Sequence, residues 1–414
     1  MFARLRQRPL DLYIAYRTLA STWAFMPLQV LYLEQRGLEL SAIFDLNVVF
    51  SLATVAFEVP TGMYADRRGR RTAMALGGAV MSAACVLFVF SPGFWIYAVA
   101  NVLFALSMTL ASGADSAWLY DHLTETHQQL RYARLEGLST AAKGVGNLVA
   151  VLLGGLLFAI APWSVFIFTA AITGTAALIA LALPEDHHPP RDGSWREDLL
   201  RAWNGLATSG RLVAILCFGA ITFVMLRISL FADQPHLEVH LTELSISQLA
   251  LAASLLQAGK EIGGAVIASG AGTIFARVKT RFLVPALAVV VVGIYVVMGY
   301  GIGVVDVVAM MVLSSLFGLF SPLMRALMNR AIPTSRDRAT LLSFESMGRR
   351  LLFAAASPLF GRAVESSSLH ATFSGTAWVA IIMYVALGFY TLGTPRIVPP
   401  QDSGGRTALN SYVG

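Results

Sequence analysis

The chemistry available to this chain lies in ionisable residues that interrupt long apolar runs. Arg17, Glu58, Asp115 and Lys143 do so in the first half, and Arg227, Asp233, His236, Lys260, Glu261, Glu345, Arg349 and Arg350 in the second. A charge inside hydrocarbon costs several kcal/mol unless it is paired or hydrated, so each of these residues is a candidate for ion coupling or solute binding. At about 1.5 Å of helix rise per residue, Arg17, Glu58, Asp115 and Lys143 share one layer, roughly 8–12 Å above one end of their helices. Two acids and two bases at one depth suit a gate, a proton route or a structural network. In the second half Glu345 and Arg349 are spaced to pair along one helix face. Lys260 and Glu261 lie about 100° apart on a helix, so one of them is expected to face a cavity. The adjacent Arg349 and Arg350 would suit an anionic or zwitterionic solute.

Asp233 and His236 are the expected coupling site. They stand three residues apart on one helical side, where a carboxylate and an imidazole can exchange a proton near neutral pH. Residues 237–247 resemble the end of the first apolar run, with Pro235 matching Pro27, which puts the connection at 242–245 and Asp233 inside a Pro-kinked helix lining water. Glu58 and Asp115 stand next in order as coupling residues. Trp23, Phe25, Met26, Tyr32, Phe223 and Met225 are available to line an apolar pocket or to pack. No phosphate-binding loop, zinc spacing or nucleophile elbow is present, so no cofactor and no enzyme is expected. Cys85 and Cys217 both sit in apolar runs and read as packing residues.

The elements that carry these residues follow from composition. Of 414 residues 56% are hydrophobic and 13% charged, about half the roughly 25% charge of a soluble domain. A membrane helix needs about 20 mostly apolar residues. Runs of that kind fall at 13–33, 42–63, 72–90, 94–119, 138–160, 163–183, 213–239, 246–271, 282–301, 305–323, 341–363 and 373–392. They lack the alternation of barrel strands. The expected fold is an all-α integral membrane protein of twelve transmembrane helices in two pseudo-symmetric six-helix bundles. The bundles occupy 1–183 and 211–395, with a linker at 184–210 and a tail at 396–414. Within the linker, residues 195–206 form an amphipathic stretch suited to the membrane interface.

The connection after span two reads Gly62-Met-Tyr-Ala-Asp66-Arg67-Arg68-Gly69-Arg70-Arg71, and the one after span eight carries Gly272, Arg277, Lys279 and Arg281 at the same register. That register also pairs Arg17 with Arg227, and a slightly shifted one pairs Arg134 with Arg338. Paired halves suit a transporter that rocks around a midplane site. At these residues the sequence resembles the major facilitator superfamily, whose signature is a Gly-x-x-x-Asp-Arg-x-Gly-Arg-Arg loop matched by Gly62, Asp66, Arg67, Gly69, Arg70 and Arg71. The resemblance implies a conformational latch in which Asp66 and Arg70 work with an acidic residue ending helix four, a place that Asp121 fits. Charge-assisted pairs at helix ends can exist in one domain arrangement and break in another. The superfamily's proton antiporters carry a Gly-x-x-x-Gly-Pro-x-x-Gly-Gly pattern on helix five. Here Gly146, Gly154 and Gly155 match it, while Ala150 and Val151 replace the Gly-Pro pair. The arginine that such antiporters often have on helix four is absent from 101–117, where Asp115 is the closest charged feature. The resemblance implies a monomeric secondary transporter of a small organic solute, with proton-coupled efflux expected, uptake by symport as the alternative, and a membrane-embedded enzyme or receptor less favoured. Its partners would be a small-molecule substrate, protons and the lipid bilayer.

Charge sets the orientation. Of 30 Lys and Arg residues, six lie inside spans and two, Arg36 and Arg362, flank connections on one side, which leaves 22 on the other. That asymmetry predicts both termini in the cytoplasm of a bacterial-type inner membrane and explains the net charge of +6 without nucleic acid. Residues 1–8 then read as a cytoplasmic flank, with no small-residue cleavage site. With Cys85 and Cys217 replaced, a cysteine in 184–210 should resist an impermeant thiol reagent in intact cells and one at Glu39 should react. The opposite labelling would invert the orientation.

Overall fold

The structure, a computed structural model, describes residues 9–90, 93–185, 209–240, 244–332 and 338–393. The amphipathic stretch 195–206, most of the linker and the tail lie outside the described residues. Every regular element among those described is helical. The first half comprises α1 (Pro9–Ala20), α2 (Gln29–Gln35), α3 (Leu40–Arg68), α4 (Arg70–Phe90), α5 (Phe94–Ala111), α6 (Ala114–Glu125), α7 (Tyr132–Ile160) and α8 (Ser164–Ala182). The second comprises α9 (Gly210–His240), α10 (Ile246–Arg277), α11 (Thr280–Tyr300), α12 (Val304–Ser315), α13 (Phe317–Ala331), α14 (Arg338–Ser366) and α15 (Leu369–Gly393).

These helices follow the expected spans with three of them broken. Span one divides into α1 and α2 around a 3-10 turn at Met26–Leu28 that contains Pro27. The exposed main chain of the break is partly satisfied from α8, whose Thr169 hydroxyl accepts the Ala24 N–H at 3.2 Å. Span four divides into α5 and α6 at Gly113, whose φ of +80° is a left-handed conformation that favours glycine. Span ten divides into α12 and α13 at Leu316. Among the described residues nine helical stretches are long and apolar enough to cross a membrane. The expected spans outside that set are the broken first, the eighth with Lys260 and Glu261, and the eleventh with Glu345, Arg349 and Arg350. Spans that carry chemistry lose hydropathy to it.

Packing repeats between the halves. α1 rests on α7 and α8, α3 on α5, and α4 on α8; in the second half α9 rests on α14, α10 on α12 and α13, and α11 on α15. Small residues let the backbones approach, as membrane helices without a hydrophobic drive between them require. A side-chain carbon at Gly78 would lie 2.9 Å from the Thr173 carbonyl oxygen of α8. Gly154 of α7 faces the Ala24 carbonyl in the break of span one, and Gly146 faces Thr18. Two of the glycines that resemble the antiporter pattern therefore seat span five against span one.

Two pairs of helices make most of the joint between the halves, α3 with α14 and α7 with α10, with smaller contacts from α10 to the Met26–Leu28 turn and from α9 to α2. We call the face where α1 begins and α15 ends the terminal face, and the other the far face. Near the far face the joint is closed. The Ser41 N–H donates to Glu365 at 2.7 Å, the Ser357 hydroxyl donates to the Phe44 carbonyl at 3.2 Å, and Phe44 packs on Phe360 and Phe231 with ring centres 5.6 and 6.3 Å apart. Midway, Gly155 of α7 meets Ser254 of α10, and Asn147 donates to Glu261 at 3.1 Å. Toward the terminal face, Thr140, Ala141, Lys143, Gly144 and Val145 are all exposed. Thr140, Lys143 and Gly144 lie on the same side of the helix as Asn147, which reaches α10, so the side toward α10 is uncovered here. The halves part toward the terminal face.

Filling the Gly154 contact should separate α7 from span one. Gly154→Leu is expected to lower the thermal unfolding midpoint of the purified protein, by overpacking of about 1–3 kcal/mol. Gly137, which has open space around it, should accept alanine without loss.

Candidate functional site

Charged side chains collect in two places. In the first half, Arg17 of α1 is buried and its Nη1 lies 3.1 Å from Asp115 Oδ2 of α6 and 3.2 Å from Glu136 Oε1 of α7. The same nitrogen donates to the Tyr13 hydroxyl at 3.0 Å and to Ser116 Oγ at 3.1 Å. Ser116 in turn donates to Glu136 at 2.8 Å. Asp115 accepts the Ser116 N–H at 2.7 Å, one of the N–H groups that the first turn of α6 leaves free after the Gly113 break. Lys143, two turns along α7 from Glu136, stands within electrostatic reach of Asp115, Glu136 and Glu261. One guanidinium with two carboxylates, hydroxyls and a lysine nearby is a compensated network.

Glu136 carries half of that compensation and was outside the expected site, because the apolar run of span five was taken to start at 138. The helix starts six residues earlier, at Tyr132. The signal was present: Glu136 lies seven residues before Lys143, on the same helical side. Glu58 corrects the expected layer in the other direction, since it leaves the first-half cluster and faces the second half. Its electrostatic partners are Arg350 and Arg349 of α14, and its Oε2 is buried without a hydrogen bond.

The second cluster lies between the halves below the far-face seal. Glu345 and Arg349 pair at 2.8 Å along α14, as their spacing predicts. The Arg349 guanidinium lies over the rings of Phe223 and Phe320, 5.1 and 5.7 Å from their centres. Arg227 lies over Phe231, 5.3 Å away, and Phe231 packs on Phe44 of the seal. On α10 the two neighbours separate: Lys260 is buried within the second half, while Glu261 accepts from Gln257 and Asn147 and so bridges to the first. The backbone carrying Asp233 and His236 is helical through His240. Their side chains lie outside the described residues.

At the terminal face Arg70 pairs with Asp121, joining the start of α4 to α6. Arg71 pairs with Glu185 and donates to the Leu183 carbonyl at 3.3 Å. Gly69 turns the chain between α3 and α4 with φ of +92°. Gly62, Asp66 and Arg70 line a small cavity of about 120 Å³ with residues of α5 and α6. Asp66 and Arg67 are exposed and make no ion pair among the described residues. The Arg70 pair is internal to the first half, and the Arg71 pair ties that half to the start of the linker.

Two six-helix bundles, parted toward one face and bridged near mid-depth, form the architecture of a membrane transporter fold. The family model of the Major Facilitator Superfamily matches residues 18–336, and the chain belongs to that superfamily. Two Bacillus subtilis (strain 168) proteins are similar to it in part. The uncharacterized MFS-type transporter YxaM is 30% identical over 95 residues, 23% of this chain and 24% of its own. The uncharacterized MFS-type transporter YcxA is 26% identical over 182 residues, 42% of this chain and 43% of its own. The chain thus spans less than half the length of either relative. Among solved structures, the nucleoside transporter NupG superposes with a TM-score of 0.74 at 13% identity, covering 94% of this chain and 99% of that one. A bacterial homologue of the human lysosomal transporter Spinster, in an inward-facing, unoccupied conformation, gives 0.68 at 17% identity, covering 94% and 96%. At these identities the likeness is one of fold.

The two carboxylates on Arg17 should back each other up. Asp115→Asn is expected to leave a folded, monodisperse protein because Glu136 remains. Joining it to Glu136→Gln strips a buried guanidinium of both acids, at a cost of about 3–5 kcal/mol, and should abolish the monodisperse peak in size-exclusion chromatography.

Proposed function

We propose that the protein is a proton-coupled secondary active transporter of a small organic solute in a bacterial plasma membrane, with both termini in the cytoplasm and the cavity between the halves as its solute path. The observation that carries this reading is Glu58 facing Arg350 and Arg349 across the joint between the halves. A carboxylate there can hold the two halves together while charged and release them when it takes up a proton. Asp66, Arg70 and Asp121 act as the latch on the cytoplasmic side, with the Arg70 and Asp121 pair holding the loop in place and the exposed Asp66 left to meet the second half as the halves rock.

The sign of coupling separates two readings. Export by antiport is favoured by Gly146, Gly154 and Gly155, although Gly146 and Gly154 also have a packing role against span one. Symport is favoured by the Glu58 geometry. A charged Glu58 occupies the arginines of the second half, and a protonated one frees them to meet solute, so proton and solute load together. We take symport as the better-supported sign and Glu58 as the coupling residue, with Asp233 and His236 as the alternative pair.

In proteoliposomes, symport predicts accumulation when the outside is made acidic, whereas antiport predicts it when the inside is acidic. Glu58→Gln should abolish accumulation driven by a pH gradient and leave exchange at equal pH measurable, since exchange moves no net proton. If Glu58→Gln accumulates solute like wild type and Asp233→Asn does not, coupling belongs to Asp233.

A further inference from the structure

The register that pairs Arg17 with Arg227 places the same residue type at matching points of the two halves, with opposite electrostatic outcomes. Arg17 has Asp115 and Glu136 within ion-pair distance. Arg227 meets no carboxylate among the described residues, and the charged group that influences it is another cation, Arg350. Three guanidiniums gather here, those of Arg227, Arg349 and Arg350, and a fourth, that of the exposed Arg325, lies within electrostatic reach of Arg349. Two carboxylates face them, with Glu345 paired to Arg349 and Glu58 shared between Arg349 and Arg350. A guanidinium does not give up its proton in a protein, so among the described residues the cluster keeps an excess of positive charge, which grows when Glu58 takes up a proton. In low-dielectric surroundings such an excess calls for a counter-charge.

The surroundings also state what should accompany that charge. The Arg227 and Arg349 guanidiniums lie on the rings of Phe231 and Phe223, and both rings approach Phe353 of α14, with centres 6.1 and 6.3 Å away. Resting on the transport reading above, we propose that the second half binds a small organic monoanion. Its carboxylate lies on Arg227 and Arg350, and its apolar or aromatic body lies against Phe223, Phe231 and Phe353. An anion offsets this excess, and the aromatic walls exclude the water that would otherwise solvate it. Arginine forks match carboxylate oxygens in pairs, which fixes orientation as well as charge.

The test is binding to the full-length protein in nanodiscs, with benzoate as probe and benzamide and benzylamine as neutral and cationic partners of the same shape. Benzoate should bind saturably, at least tenfold tighter than either. Arg227→Gln and Arg350→Gln should each weaken it at least tenfold, and Arg277→Gln should not. If a variant fails to elute as a monodisperse protein, the ranking of the three probes on the unmodified protein decides. The proposal is overturned if benzoate fails to bind, if benzamide competes equally, or if a folded Arg227→Gln binds like wild type. Benzoate bound but never accumulated under either pH gradient would uphold the anion site and remove the transport reading. A neutral or cationic solute accumulated while benzoate is ignored would do the reverse.

Discussion

A guanidinium inside a membrane protein cannot discharge itself, so it must be met by an acid or remain as a demand on whatever enters. The structure is arranged around that constraint. In the first half the demand on Arg17 is closed by three elements at once, with α6 supplying Asp115, α7 supplying Glu136 and α1 its own Tyr13. Such closure ties α1, α6 and α7 into one body. In the second half Arg349 is answered by Glu345 on its own helix, whereas the acid within electrostatic reach of Arg350 among the described residues, Glu58, lies across the joint. Rigid body and moving joint are thus distinguished by where each arginine finds its acid.

Backbone geometry serves the same division. Glycines at 78, 146 and 154 let helices of the first half touch main chain to main chain or against small side chains, which suits a body that moves as a unit. Between the halves the contacts are of another kind. The far-face seal consists of Phe44, Phe231 and Phe360 with a few hydrogen bonds, which can be exchanged for others at modest cost. At the terminal face Arg70 pairs with Asp121 inside the first half, and Arg71 ties that half to the start of the linker at Glu185. Asp121 is buried, so parting it from Arg70 would leave a carboxylate in need of another partner.

Much of this was legible in the sequence, and the limits have physical causes. Hydropathy reveals a span because lipid demands apolar length, so the order of the helices could be read directly. Breaks are harder, since Gly113 and Pro27 mark where a helix can break and packing decides whether it does. The pairing of Glu345 with Arg349 followed from spacing alone, and that of Arg70 with Asp121 from the family signature. Glu136 was missed because a helix that leaves the membrane stays a helix after its hydropathy has ended. Glu58 was placed at the right depth but given the wrong partners, because depth along a helix says nothing about the direction a side chain faces. That Arg227 meets no acid among the described residues could not be seen from sequence at all, since it depends on which side chains are neighbours in space.

The central claim is that the two halves rock about the Glu58 and Arg350 joint, closing one face as the other opens. Spin-label distances test it most directly, with one pair at Arg68 and Arg277 on the terminal face and another at Glu39 and Ser366 on the far face, in a background lacking Cys85 and Cys217. On acidification with benzoate present, the account predicts a shorter population for the first pair and, in the same sample, a longer one for the second. Distances that stay fixed at both faces, or that lengthen and shorten together, would contradict it.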